Sequence, residues 1–500
     1  MERLKLALVH LDVRHGEAER NRNEMIAFTI KAAENGAKVI LNTELGVSGY
    51  SFSSRKEIAG FVETQNGPTI DALKTIASRY SCFIVSGYPE KDEETGIFYN
   101  SAAVIGPEGE LLLNYRKITA EVRWACPGSP LQRNTFSTPW GTAGVMICSD
   151  TYYGALPRMS SLNGVDLLLV PANWPGGSLD PRELWQVRAR ENGFFLAACN
   201  RSGKDKTMSC EDAYSCVYSA DGERIFEAFS CESDVFYAEL PLEDGKLPSL
   251  RQKQLASRKT SMYAPIYLDM RYATDMTGYC KLPEPAGLCL ACHPASQGEL
   301  FSGEVFEKTV RELGGEHVDL LVLPAGRAHD KEMVLKRLSN ASMTHQLGIC
   351  AGVIAEKNGR EGLVFAGKNG DLVQRFHEDK ELDVIDLDNA RIALACKDEL
   401  YHPETVMACA KQGCDVVVCA SSALDDLDQL VLGARSIEQT AVAVCGNDRA
   451  FICQPPEGHY RWAETTADHG KGCVATLDVG KLREKRFYDR LDYELLLRKR

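Results

Sequence analysis

The sequence predicts an α/β fold carried twice in one chain of 500 residues. Three observations predict it. Short apolar runs of strand character alternate with segments of helical periodicity, the pattern of strands crossed over by helices. The chain exceeds what one core usually organises, so two domains are the starting expectation. The order of segments in residues 1–280 also recurs, shortened, in residues 286–500, as a duplication would leave it.

Leu4 to Val13 reads as a strand and Glu19 to Asn35 as a helix, in which Met25, Phe28, Ala32 and Ile26, Ile30, Ala33 recur at helical spacing before Gly36 closes it. Val39-Ile40-Leu41 is a short apolar strand with Glu44 just beyond. Thr69 to Tyr80 is the second helix, followed by the strand Cys82 to Gly87. Two strands joined across Gly106-Pro107-Glu108-Gly109 then end at Lys117. Thr142 to Ile147 is a strand that stops on Cys148. The helix Ala155 to Asn163, the strand Val165 to Val170, the helix Pro181 to Asn192 and the strand Phe194 to Asn200 follow, and the β segments Ala213 to Ser219 and Val235 to Leu240 finish the unit. A connection rich in Pro, Gly and Tyr runs from Tyr263 to Gly287. Beyond it Gly287 to His293 echoes Leu4 to His10, Val318 to Leu323 echoes Ala37 to Leu41, and Ile392 to Asp398 echoes Val145 to Asp150.

Composition narrows the function. With 44% hydrophobic and 25% charged residues the chain is an ordinary globular protein. A formal charge of −13 argues against a nucleic-acid partner, because phosphate binding is driven by clustered Lys and Arg. No apolar run approaches the roughly 20 residues a bilayer demands, and the first strand begins almost at once, so a cytoplasmic protein without a membrane partner is expected. Many of the 18 cysteines, among them Cys199, Cys350, Cys396, Cys419 and Cys445, sit inside apolar runs, where cysteine behaves as a small buried hydrophobe. Cys289-Leu290-Ala291-Cys292-His293 matches a haem-attachment pattern but reads as a coincidence within a strand. No spaced Cys/His cluster and no phosphate-binding glycine loop calls for a metal or cofactor, and none is expected.

Chemistry concentrates at three residues. A free thiol titrates near 8.5, so a nucleophilic cysteine needs a base or a positive neighbour. Glu44 and Cys148 follow strands and Lys117 terminates one, and in an α/β sheet the carboxyl ends of strands gather at one edge. Singly, each is more simply a core thiol, a loop carboxylate and a surface charge. Together, in their local contexts, they are not.

Those contexts resemble the nitrilase superfamily of carbon-nitrogen hydrolases. Glu44-Leu45-Gly46-Val47-Ser48-Gly49-Tyr50 resembles its Glu segment, Tyr99-Asn100-Ser101-Ala102 with Gly109 and Tyr115-Arg116-Lys117 its Lys segment, and Ile147-Cys148-Ser149-Asp150 its Cys segment. Pro171-Ala172-Asn173-Trp174-Pro175, Arg188 to Asn192 and Asn200-Arg201-Ser202-Gly203 resemble its downstream blocks. The resemblance implies a four-layer αββα sandwich in each half, the halves packed as an intramolecular pseudo-dimer with further homo-oligomer formation open. It implies Glu44 as general base, Lys117 as stabiliser of the tetrahedral intermediate, Cys148 as the nucleophile that forms a thioester, and a second glutamate. Glu121 is the only carboxylate between Lys117 and Cys148. Tyr50, Arg123, Trp124, Ser149, Tyr152, Tyr153, Asn173 and Trp174, close to the three segments, are the expected substrate-binding residues. The implied activity is hydrolysis of a small linear amide with release of ammonia, with an N-carbamoyl compound or a nitrile as alternative substrates. A non-enzymatic binding or assembly protein is the alternative of another class.

The second half departs from the pattern. Aligned on its apolar strand it has Ala325 in the place of Glu44, and aligned on Gly370 it has Glu378 in the place of Lys117, with Lys380 reachable only by a register slip. Cys396 alone is expected to survive, in a catalytically dead copy.

Overall fold

The computed structural model of the protein describes residues 2–176, 180–270, 275–295, 303–314, 317–327, 331–354, 359, 361–377, 379–468, 471–487 and 491–497. The chain divides into two compact units, Met1–Ala256 with Arg490–Leu496, and Ser257–Asp489.

In the first unit twelve strands follow in order: β1 (Arg3–His10), β2 (Val39–Asn42), β3 (Phe83–Lys91), β4 (Phe98–Ile105), β5 (Leu111–Arg116), β6 (Thr135–Thr138), β7 (Gly141–Val145), β8 (Leu167–Pro171), β9 (Phe195–Cys199), β10 (Ser215–Tyr218), β11 (Arg224–Ala228) and β12 (Asp234–Pro241). They form two six-stranded sheets, ordered β12-β1-β2-β3-β4-β5 and β11-β10-β9-β8-β7-β6. The middle of each sheet is parallel, β1-β2-β3 in one and β7-β8-β9 in the other. Its strands read as unbroken apolar runs, such as the buried Val39-Ile40-Leu41 of β2, because both faces are covered. β1 and β2 lie against β8 and β9, so the sheets face each other.

Helices cover the outer faces. α1 (Ala18–Glu34) turns Met25, Thr29, Ala32 and Ala33 inward, and α2 (Arg55–Ile58) is a single turn capped by Ser54. α3 (Pro68–Tyr80) starts on a proline whose missing N–H costs nothing there, and packs with α1 on the first sheet. α4 (Ala155–Leu162) and α5 (Pro181–Asn192) lie against each other, α5 on β9 and β10 of the second sheet. Asp180 caps the start of α5, and Gly193, at φ +68°, closes it in the left-handed conformation that glycine adopts without a Cβ penalty. The layers are therefore α-β-β-α.

The expected strands and helices are present within a few residues of their predicted bounds. β6 and β11 were not expected: both are short, half-exposed edge strands without an apolar alternation to betray them. β7 ends at Val145 rather than Ile147, because the chain leaves the ladder into a 3-10 turn, Cys148–Thr151.

The second unit repeats this order. Its strands are β13 (Gly287–Cys292), β14 (Leu320–Arg327), β15 (Gly348–Ile354), β16 (Glu361–Ala366), β17 (Leu372–Phe376), β18 (Asp383–Asp386), β19 (Arg391–Leu394), β20 (Val416–Ala420), β21 (Ala441–Cys445), β22 (Arg449–Gln454), β23 (Ala463–Asp468) and β24 (Cys473–Asp478). The sheets run β17-β16-β15-β14-β13-β24 and β18-β19-β20-β21-β22-β23, strand for strand the first unit's order. Leu290, Val322, Ile392, Val418, Ala443 and Ile452 form the core between them. Cys289 to Cys292 lies in β13, paired on both sides.

Candidate functional site

Each of the three chemical residues is delivered by the end of a strand. Beyond β2 the Glu44 amide hydrogen-bonds the Ala172 carbonyl at 3.3 Å, tying the first sheet's loop to the end of β8. Gly87 of β3 lets that backbone come close: a Cβ there would stand 2.6 Å from Glu44 Cα and 2.7 Å from the Thr43 oxygen. Lys117 follows β5, its amide bonded to the Asn100 carbonyl of β4 at 2.8 Å. Cys148 heads the turn after β7 at φ +47°, and Leu45, next to Glu44, has φ +50°. A left-handed conformation of this kind costs a non-glycine residue about 1 to 3 kcal/mol and persists only where its surroundings impose it. At Cys148 they include Thr151 Oγ1, which donates to the Cys148 carbonyl at 2.7 Å, and Trp185 Nε1, which donates to Thr151 Oγ1 at 3.1 Å.

The side chains meet in a buried cluster. Lys117 Nζ donates to Glu44 Oε1 at 2.6 Å, and Asn100 Nδ2 donates to the same oxygen at 2.7 Å. Both members of the ion pair are fully buried. Glu44 Oε2 is buried without a hydrogen-bond partner, leaving one carboxylate oxygen uncommitted. Burial disfavours the Lys117 charge, yet the Glu44 carboxylate, with Tyr50, Cys148 and Asp150 around it, holds the ammonium well above the usual lysine range. Burial and Glu44 push the Cys148 thiol well above its ordinary value, against the pull of Lys117 and of the Asn173 backbone N–H. The resting cluster is thus an ammonium beside a carboxylate and a protonated thiol.

The remaining predicted residues divide into those at the cluster and those around it. The Tyr50 ring centroid is 5.6 Å from Lys117 Nζ, and its backbone N–H donates to Asp205 at 2.6 Å. Asn173 Oδ1 accepts from Arg201 Nε at 2.9 Å, which fixes the loop whose amide faces the thiol, while its Nδ2 is buried without a partner. The Trp174 backbone exchanges two hydrogen bonds with the Asn200 side chain, at 3.0 and 2.9 Å. Ser149 Oγ is 2.9 Å from Thr119 Oγ1. Tyr152 stacks edge-on with Tyr153, centroids 4.9 Å apart, and lies 6.4 Å from Trp174. Trp124 is buried with Leu45, Phe52 and Phe98. Glu121 and Arg123 pair with each other at 2.9 Å on the more exposed side. Among the described residues no hydrogen bond joins Glu121 to Glu44, Lys117 or Cys148. Asn100 and Asp150 lie in the quoted motifs yet carry no assigned part in the sequence reading; only the register of β4 against β5 and the turn at Cys148 bring them in.

The second unit's correspondence follows from its hydrogen bonds. Ala325 N bonds the Ser421 carbonyl at 3.1 Å as Glu44 N bonds that of Ala172, and Gly352 stands against Ala325 as Gly87 stands against Glu44. Ala325 therefore takes the place of Glu44, as expected. The other two expectations need correction. Leu394 pairs with Val418 as Val145 pairs with Leu169, so Cys396 takes the place of Ile147 and Lys397 that of Cys148. Leu363 pairs with Arg375 as Ala102 pairs with Tyr115, so His377 takes the place of Lys117; Glu378 lies outside the described residues. The slip has a physical cause. The β4–β5 ladder shifts register between Val104 and Ile105, leaving Leu112 as an extra residue, and β16–β17 carries no such bulge. Lys397 Nζ bonds Asp428 at 3.2 Å, and Cys396 is a buried thiol pushed far up by burial and by Glu399.

Among the described residues no group of three or more His, Cys, Asp or Glu is placed to hold a metal ion, and no helix is long and apolar enough to cross a membrane. The carbon-nitrogen hydrolase family model matches residues 5–247. A probable nitrilase of Schizosaccharomyces pombe is 34% identical over 215 residues, 41% of this chain and 76% of that one. The omega-amidase NIT2 of Homo sapiens is 28% identical over 281 residues, 53% of this chain and 98% of its own. Among solved structures, Saccharomyces cerevisiae Nit3, a member of branch 10 of the nitrilase superfamily, aligns with a TM-score of 0.43 at 23% identity, over 48% of this chain and 90% of its own.

Proposed function

The chain belongs to the carbon-nitrogen hydrolase family, and on that premise we propose that its first unit is an amidase that cleaves a small linear amide through a thioester on Cys148 and releases ammonia. The observation that carries this reading is the buried contact of Lys117 with Glu44 at 2.6 Å beside the Cys148 thiol. Because the thiol rests protonated, attack needs a base at hand. Glu44 Oε2, buried and without a partner, is that base.

In the reaction Glu44 takes the thiol proton as the sulfur bonds to the amide carbon, and the carbonyl oxygen becomes an oxyanion. The Lys117 ammonium and the backbone N–H of Ser149 face that charge; one such donor is worth about 10²- to 10³-fold in rate. When the C–N bond breaks, ammonia leaves with the proton held by Glu44. A water molecule then gives a proton to Glu44 as its oxygen adds to the thioester carbon, and when the C–S bond breaks Glu44 returns that proton to the sulfur, so that the carboxylic acid departs and the thiol is restored. Tyr50, Trp124, Tyr152, Tyr153, Asn173 and Trp174 form the substrate side, with Arg123 at the rim. Glu121 supports the chemistry from that rim, where its pairing with Arg123 must open for it to reach the amide. The human relative named as an omega-amidase agrees with an amide, and the Schizosaccharomyces pombe relative named as a probable nitrilase keeps nitriles in the test. The second unit, with Ala325, His377 and Lys397 in the three places, takes no part in catalysis.

The test is ammonia release by the whole protein across a panel of linear amides, N-carbamoyl compounds and nitriles, with mass spectrometry for an acyl adduct. Turnover of amides, lost in Cys148→Ala, is expected. No ammonia and no adduct from the wild type on any compound would sink the reading in favour of a binding protein.

A further inference from the structure

Asp150 is a fully buried carboxylate that the reaction above does not use. Its oxygens accept from the backbone N–H groups of Ile118 at 3.1 Å and Thr119 at 2.8 Å, from Thr119 Oγ1 at 2.8 Å, from the Tyr115 hydroxyl at 2.8 Å and from the Ile147 N–H at 3.3 Å. The first four bonds grip the chain on both sides of Lys117, and the last grips the residue before Cys148. One side chain thereby clamps the lysine's strand end to the cysteine's turn. Five acceptances more than fill the about four lone-pair sites of a carboxylate, and they hold the side chain in one orientation.

We propose that Asp150 is a positioning residue that fixes the separation of the Lys117 ammonium and the Cys148 sulfur for the hydrolysis. The second unit supplies the control. Glu399 takes the place of Asp150 and Arg375 that of Tyr115, and Arg375 binds Glu399 at 2.9 and 2.7 Å. Glu399 still accepts from the Cys396 N–H at 2.8 Å, as Asp150 does from Ile147. Among the described residues it makes no hydrogen bond to the backbone beyond His377. The fold thus keeps a carboxylate at this turn in both units, and in the first it also grips the backbone that follows the lysine. Lys117 is also the one cation prominent in the charge balance of Asp150, which burial pushes up and Lys117 pulls down.

The inference rests on the amidase reading, and the test separates the two. D150N, which exchanges an acceptor oxygen for a donor facing N–H groups, is expected to lower kcat by about 10²-fold, the cost of misplacing a reacting group by about 1 Å, while KM stays within about twofold. Y115F removes one of the bonds without changing volume and is expected to lower kcat about threefold or more, with KM unchanged. A kcat within about twofold of wild type in either variant overturns the proposal. Should D150N lose its fold, the double variant Tyr115→Arg, Asp150→Glu installs the pair the second unit already carries. It is expected to recover the melting temperature and not the rate; recovery of both means that Asp150 only holds the fold. Alkylation of Cys148 by iodoacetamide needs no substrate. Slower alkylation in D150N supports the proposal and an unchanged rate overturns it, whether or not the wild type turns over any amide.

Discussion

A tight backbone clearance lies under the base. Gly87→Ala adds a Cβ 2.6 Å from Glu44 Cα, 2.7 Å from the Thr43 oxygen and 3.0 Å from Leu45 N, the first of them about 0.8 Å inside the 3.4 Å at which ordinary contact begins. All three neighbours are backbone atoms, so no rotamer change relieves the overlap, and the loop carrying Glu44 must lift off β3. Overpacking of this kind costs about 1 to 3 kcal/mol, offset by about 0.5 to 1 kcal/mol from the chain entropy that glycine loses on folding. The net loss of stability is small, but the base moves by most of an ångström, enough to cost about 10²-fold in kcat. Gly352→Ala is the matched control, because its Cβ meets Ala325 Cα at 2.6 Å and N at 2.9 Å in the unit without a base. The assay is ammonia release and thermal melting of both variants. G87A should lose most of its kcat and G352A should not, with similar drops in melting temperature. Equal kcat in G87A and wild type, or equal losses in the two variants, would refute the reasoning.

Other outcomes follow from the same geometry. Lys117→Met leaves the Glu44 carboxylate buried without its cation and should cost about 3 to 5 kcal/mol in urea unfolding; a loss below about 1 kcal/mol would mean that water reaches the site. Adding Glu44→Gln to it should return most of the stability and none of the activity. His10, buried against Ser215, has its pKa lowered to about 4 by burial. The unfolded chain therefore binds a proton below pH 6.5 that the folded chain refuses, so stability is full above that pH and falls as pH drops, by about 2 kcal/mol at pH 5. Tryptophan fluorescence reads this in the first unit, which holds Trp124, Trp140, Trp174 and Trp185 of the chain's 5 tryptophans, and His10→Gln should flatten the dependence. Lys397→Ala breaks the pair of a partly exposed lysine with the mostly buried Asp428 and should lower the melting temperature, while ammonia release should not change.

Much of this was legible in the letters, for reasons that can be stated. The parallel core strands announce themselves because burial on both faces forces continuous apolar runs, and the residues just beyond them, Glu44 and Cys148, stand out against that background. β6 and β11 do not, since edge strands half in water need no such pattern. The partnerships of Asp150 and Asn100 are invisible for a different reason: a buried acceptor is chosen by what the register brings opposite it. In the second unit, matching Cys396 to Cys148 by letter missed the true register by one residue, because nothing in an apolar run says where the ladder begins. The pairing of Leu394 with Val418 settles what the alphabet leaves open.

The bulge at Leu112 bears on any attempt to revive the second unit. A revival guided by letters would install glutamate at 325 and lysine at 378 and rely on the thiol at 396. In an extended chain neighbouring residues point to opposite faces, so the thiol at 396 starts from the wrong side of its strand. The ladder calls instead for glutamate at 325, lysine at 377 and cysteine at 397. The thiol inherited at 396 is a decoy set by the β19–β20 register, while a single residue looped out of one hairpin separates 378 from 377.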